Sequence, residues 1–341
     1  MTWGTNRVPV VKRVVVNPMA CLDGKSLLNG AFNPVAFKPA ALVQYDLRDW
    51  INTDIKPCSC LPVKSYQRAA VGKSGCKIAV SGILSMYLRQ VTGNITRISL
   101  AWSCAYILRE ENKNGEENKS SEKLKTNKVT LIDCGLQKDR PELLEALGVL
   151  GIGPADIDVL LLTHAHCDHA GNAAYFAAHG AAVITHEAEA RYMQFPRRSY
   201  AYRGMDALLR PFTSLAFTIG EMLYPVERCV VARTVADGDI IEAPGGPLRV
   251  IHCPGHTPGQ IAFYRESDGV LFSGDVVLNI IPVKCVTGLS LAMRLLSDNW
   301  AQAGQSARKL AKLRPRMLLA GHGQPLTDDT ANRLQVWAET L

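Results

Sequence analysis

The chain is predicted to fold as an α/β sandwich. Two observations carry this: apolar strands, both alternating and fully buried, recur along the chain, and helical stretches lie between them in both halves. A third is compositional: 341 residues at 47% hydrophobic and 20% charged supply a sizeable globular core.

The elements follow in order. Residues 1–80 alternate poorly, hold several prolines and carry eleven Lys or Arg against four Asp, an excess that equals the whole net charge of +7. They are read as a basic N-terminal extension, set apart from a domain over 81–341. "NITRISLAW" and "CAYILRE" alternate like strands. Arg109–Lys128, eleven of its twenty residues charged, is a solvated hairpin loop. "VTLIDCG" is a strand ending at Asp133, and "RPELLEALGVLG" is an amphipathic helix with Leu143, Leu144 and Leu147 on one face. "IDVLLLT" is a buried strand. "DHAGNAAYFAAHG" is a helix closed by Gly180. "AAVITHE" is a strand and "EAEARYM" a helix. Gln194–Glu227 is a long mixed insertion, and strands return in "DGDIIEAPGGPLRVIHCPG" and "QIAFYRESDGVLFSGD". A helix is expected over Leu291–Leu313, with "RMLLAGHGQP" as the last strand and loop.

Several function classes fall away. Beyond residue 80 the charges balance, so no basic footprint for nucleic acid appears. No run reaches the roughly 18 apolar residues of a membrane span. The nearest, Val276–Ser297, is broken by Lys284 and Arg294 and reads as a core or lid segment. Ten scattered cysteines without a CxxC pair suggest reduced, buried thiols. No secretory pattern opens the chain, so a cytoplasmic location is expected. Arg7, Lys12 and Arg13 without an acidic neighbour leave organellar targeting open.

The chemistry gathers at "THAHCDHAG", Thr163–Gly171, where three histidines and an aspartate follow an apolar strand. A core has no use for them, because unpaired polar groups cost free energy when buried. Residues two apart on an extended segment point the same way, so His164 and His166 can share a metal. The turn into a helix then swings Asp168 and His169 to a second position. Imidazoles with one or two carboxylates suit zinc, at about 2.0–2.2 Å. Further ligand types stand after other strands: His256 in "CPGHTPGQ", Asp275 in "LFSGD" and His322 in "LLAGHGQP". Ligands at successive strand ends converge on one edge of a sheet. Five of the eight histidines fall in this pattern, while His179, His186 and His252 lie outside it.

Taken together, HxHxDH, PGHTPG, SGD and AGHG over roughly residues 83–341 resemble the metallo-β-lactamase superfamily, of the glyoxalase II and lactonase type. The resemblance implies a four-layer αβ/βα sandwich with two mixed sheets. It implies that His164, His166 and His256 hold one metal, that Asp168, His169 and His322 hold a second, and that Asp275 bridges them. Asp133 would support the ligands, and Cys167 would fill a variable slot. The implied cofactors are two zinc ions, with iron or manganese as other occupants.

The expected activity is a dinuclear hydrolase in which a metal-bridging hydroxide, positioned by the catalytic Asp168, cleaves an ester, thioester or lactone of a small acyl substrate. Two other activities share the fold: a mononuclear iron persulfide dioxygenase, which the complete second ligand set argues against, and a phosphodiesterase. The chain lacks a long insertion between Asp275 and His322 and ends soon after His322, which argues against nucleic-acid processing and against glutathione thioesters respectively. The aromatic and arginine residues of Arg191–Arg228, among them Tyr192 and Tyr224, are candidate pocket walls, as is Val276–Leu296. Oligomeric state is not legible.

Overall fold

The computed structural model describes residues 88–110, 128–194, 224–282 and 284–341. The basic extension 1–80, the centre of the charged loop (111–127) and most of the mixed insertion (195–223) lie outside the described residues.

Twelve described strands form two sheets. The first runs β1 (Leu88–Thr92), β2 (Ile95–Ser99), β3 (Cys104–Arg109), β4 (Val129–Ile132), β5 (Val159–Leu161), β6 (Ala182–His186) and β7 (Arg233–Val235) in spatial order. Its first four strands are antiparallel and β4 to β7 are parallel. The second comprises β8 (Ile240–Ile241), β9 (Leu248–His252), β10 (Ile261–Arg265), β11 (Val270–Gly274) and β12 (Met317–Ala320), ordered β12-β11-β10-β9-β8. Only β11 and β12 pair in parallel there. Both sheets are mixed, as expected.

The period-two alternation of the strands builds the layers. In β3, Cys104, Tyr106 and Leu108 face the inter-sheet core, while Ala105 and Ile107 face the other way. In β11, Val270 and Phe272 enter the same inter-sheet core, and Leu271 points outward. The outer face of the first sheet is covered by α1 (Arg140–Val149) through Leu143 and Leu147, and by α3 (Ala173–Ala178) through Phe176. Further along, α4 (Glu187–Gln194) adds Met193. The second sheet is covered by α5 (Trp300–Ala311) through Ala307 and Leu310, and by α6 (Thr330–Glu339) through Leu334. The result is the four-layer αβ/βα sandwich. Each fully buried Leu, Ile or Phe adds about 1.5–3 kcal/mol. Cys104, Cys134, Cys229 and Cys253 are buried free thiols.

Three elements depart from the sequence reading. The helix expected over Leu291–Leu313 begins only at Trp300. Asn299 caps it by accepting from the Gln302 N–H at 3.1 Å, and the residues before it hold only a short 3-10 turn, Arg294–Leu296. The helix expected after the histidine motif is two pieces, α2 (Cys167–Ala170) and α3. The backbone leaves the helical path at Asn172, and Gly171 before it is tightly enclosed: a Cβ there would lie 2.5 Å from Cys167 O and 2.7 Å from Gly135 O. Next to it, Asn172 donates to the carbonyls of Cys134 and Leu136 at 2.8 and 2.7 Å. Finally, Tyr192 is a buried residue of the core on the outer face of the first sheet rather than a pocket wall. No described helix is long and apolar enough to cross a membrane.

Candidate metal centre

The strands end where the ligand types begin. β4 leads to Asp133 and β5 to Thr163 and His164, and these two strands are parallel. β11 and β12, also parallel, lead to Asp275 and His322. β9 leads to His256 and runs with β11, both being antiparallel to β10. The Ile261 N–H donates to Thr163 O at 2.9 Å and so ties the two sheets at this edge. Gly274 and Gly321 join by a backbone bond of 2.8 Å, which sets Asp275 beside His322.

All seven residues singled out as ligands come together. His164, His166 and His256 bring one ligand atom each to within 4.8 Å of one another. So do His164, His169 and Asp275, and so do Asp168, His169 and His322. Asp275 faces both triads: its Oδ2 is 3.5 Å from His256 Nε2 and 3.2 Å from His322 Nε2, and its Oδ1 is 3.4 Å from His169 Nε2. Asp168 Oδ2 lies 3.4 Å from His322 Nε2. Cys167 belongs to none of the three groups.

Outer hydrogen bonds decide which imidazole nitrogen faces inward. Asp133, a non-glycine residue at φ +54°, accepts from the Thr163 N–H at 2.9 Å and from Thr163 Oγ1 at 2.8 Å. Having given its proton to Asp133, Thr163 Oγ1 accepts from His164 Nδ1 at 3.1 Å. His169 Nδ1 donates to Asp133 Oδ2 at 2.9 Å. His256 Nδ1 faces Ser297 Oγ at 3.4 Å, whose proton goes to Met293 O, so the imidazole donates. His322 Nδ1 donates to Trp102 O. Each of these four rings therefore carries a proton on Nδ1 and turns Nε2 toward the centre, the orientation a metal ligand needs.

The electrostatics differ between the two triads. Burial, then the neighbouring imidazoles, holds His164 well below the usual histidine range. Burial, together with His169, pushes His166 down to about 3, and burial with His166 pushes His256 down to about 3. His169 goes the other way: burial opposes its charge, yet Asp275, Asp168 and Asp133 lift it to about 10. His322 is raised to about 9 by Asp275 and Asp168 against burial. Asp275 stays well below the usual carboxylate range, since His322 and His169 outweigh its burial. One triad is thus neutral and ready to coordinate, and the other is surrounded by carboxylates that call for positive charge.

A divalent cation fits both demands. His164 Nε2, His256 Nε2 and Asp275 Oδ1 are buried atoms with no hydrogen-bond partner among the described residues. Buried polar atoms are rarely left so, and orphans that converge on a point call for an ion. The close approach of the backbone agrees: a Cβ on Gly321 would lie 2.3 Å from Asp275 Oδ1.

Three features escaped the sequence reading. Glu189 is fully buried and hydrogen-bonded to the loops of His164–His166 and His256. Ser297 orients His256. Trp102, half exposed, holds His322 through its carbonyl and stacks edge-on with Tyr224 at 5.1 Å, with Lys138 Nζ 4.7 Å from its ring. Of that wall, only Tyr224 stands out in the sequence. The remaining histidines are not in the centre: His186 and His252 stack on each other at 4.3 Å, and His179 is exposed.

Residues 124–322 match the family model described as the metallo-beta-lactamase superfamily. The chain is 29% identical over 214 residues to the probable metallo-hydrolase YflN of Bacillus subtilis, covering 58% of this chain and 76% of that protein. It is 32% identical over 157 residues to the acyl-coenzyme A thioesterase MBLAC2 of Gallus gallus, covering 43% of this chain and 53% of that protein. Among solved structures, a metallo-beta-lactamase family protein from Thermus thermophilus superposes with a TM-score of 0.51 at 25% identity, over 70% of this chain and 74% of that one.

Proposed function

The chain belongs to the metallo-beta-lactamase superfamily, and on that premise we propose that it is a dinuclear zinc hydrolase acting on an ester, thioester or lactone of a small acyl substrate. The observation that carries this reading is the pair of triads, His164–His166–His256 and Asp168–His169–His322, with Asp275 facing both. When bound, two divalent ions supply a nucleophile near neutral pH and take up charge from the scissile carbonyl oxygen.

The chain's own residues do the rest. Asp168 holds the proton of the attacking water and points it at the carbonyl carbon. Its carboxylate is partly exposed, 3.4 Å from His322 Nε2 and 3.8 Å from His169 Nε2, so it reaches both the centre and solvent. Asp133 and Ser297 keep their imidazoles in the ligating tautomer, so that no rearrangement is needed as charge develops. The Trp102–Tyr224 wall, beside His322, offers an apolar surface for an acyl chain, and Lys138 against it suits an anionic end. The thioesterase named among the relatives supports a thioester as the first substrate to try.

The test is a panel of acyl thioesters, lactones and phosphodiesters assayed with the zinc-loaded protein and its Asp168→Ala variant. Thioester or lactone hydrolysis that falls by about 10²-fold or more in the variant is expected for loss of a positioned acid–base group. Turnover of phosphodiesters alone, or undiminished turnover in the variant, contradicts the assignment.

A further inference from the structure

We propose that Glu189 is a positioning residue that sets the affinity of one cation, the one held by His164, His166 and His256, separately from the other. This rests on the dinuclear reading above and deepens it.

Glu189 sits in the first turns of α4 and is fully buried. A carboxylate taken from water is costly unless it is hydrogen-bonded, so its presence there requires a return. Its Oε2 accepts from the Ala165 N–H at 2.8 Å. Its Oε1 accepts from Thr257 Oγ1 at 2.7 Å and from the Gly259 N–H at 2.8 Å. Ala165 lies between His164 and His166, and Thr257 follows His256. One carboxylate therefore clasps the two stretches of chain, far apart in sequence, that deliver all three imidazoles of that triad. Among the described residues three donors converge on it, an arrangement that a carboxylate's two oxygens can accept together. Gly259 lets the clasp close: a Cβ there would stand 2.7 Å from Glu189 Oε1. Asp133 bears on both triads, on His169 directly and on His164 through Thr163. The printed bonds of Glu189 go only to the chain that carries the first triad, so its replacement acts on that affinity and not on the other.

Glu189→Gln keeps the shape but places an amide N–H against either Ala165 or the Thr257–Gly259 pair. The experiment is a cobalt(II) titration of the metal-stripped full chain, followed by visible absorption. The step belonging to this triad is identified as the one that His256→Ala removes. Glu189→Gln is expected to weaken that step by about 10–100-fold, the usual effect of losing a hydrogen-bonded support, and to leave the other step within a few-fold of wild type. Thr257→Val, which removes one bond and keeps the carboxylate, is expected to weaken the same step by a smaller factor, and it carries the test if the glutamine variant does not fold. Equal weakening of both steps, or no weakening in either variant, overturns the role of Glu189 while leaving the dinuclear reading in place. A wild-type chain that binds no cobalt overturns both.

Discussion

Asp133 Oδ2 lies 2.9 Å from His169 Nδ1, and the same carboxylate accepts both the N–H and the hydroxyl of Thr163. One side chain thus fixes the tautomer of His169 and, through Thr163, that of His164. Asp133→Asn keeps the backbone, because asparagine tolerates the left-handed conformation found here. It replaces one acceptor oxygen with a donor. Metal content and kcat/KM are expected to fall by about 10–100-fold, with the melting temperature of the metal-free protein moving far less. Full metal content in the asparagine variant would refute the role.

Gly321 admits no side chain without moving a ligand. A Cβ would lie 2.3 Å from Asp275 Oδ1 and 2.7 Å from His169 Cε1. The neighbour that has to give is the tip of Asp275, so Gly321→Ala is expected to lose bound metal while retaining its fold. Circular dichroism and elemental analysis on one preparation check this. A folded variant with wild-type metal content is the contrary result.

Asp139 predicts a pH dependence unrelated to metal. It is buried, its Oδ2 has no hydrogen-bond partner among the described residues, and burial lifts its carboxyl to about 6. A folded-state value above the unfolded one, about 3.9, means the folded state holds the proton more tightly. That contribution is present in full below about pH 4 and is lost as pH rises through about 6. Asp139→Asn does not titrate. Relative to that variant, the wild type is expected to lose unfolding free energy between pH 5 and pH 7.5, measured by urea denaturation of both. A difference that stays flat over that range would show that Asp139 titrates normally.

Much of this centre was legible in the sequence, for a physical reason. Ligand side chains are dictated by the ion rather than by packing, so His164, His166, His256 and His322 stand out wherever an apolar strand stops. The layers were legible because strands such as "CAYILR" alternate between two cores. Glu189 was not legible. In "EAEARYM" it looks like Glu187, a solvent-facing helix charge paired with Arg191, and its partners lie 24 to 70 residues away along the chain. Trp102 and Ser297 act through a backbone carbonyl and a lone hydroxyl, neither of which leaves a spacing pattern. The edge strands β1 and β7 were missed because polar and very short segments carry little periodicity. The start of α5 was misplaced because Leu291 to Leu296 are apolar apart from Arg294 yet precede the true cap at Asn299.

The central claim is that these side chains, drawn from distant parts of the chain, hold two cations at one sheet edge. Elemental analysis of the purified 341-residue chain, reconstituted with zinc and freed of excess, tests it most directly. About two zinc per chain in the wild type and about one in His256→Ala are the expected values. A wild-type chain that retains no metal after reconstitution would contradict the account.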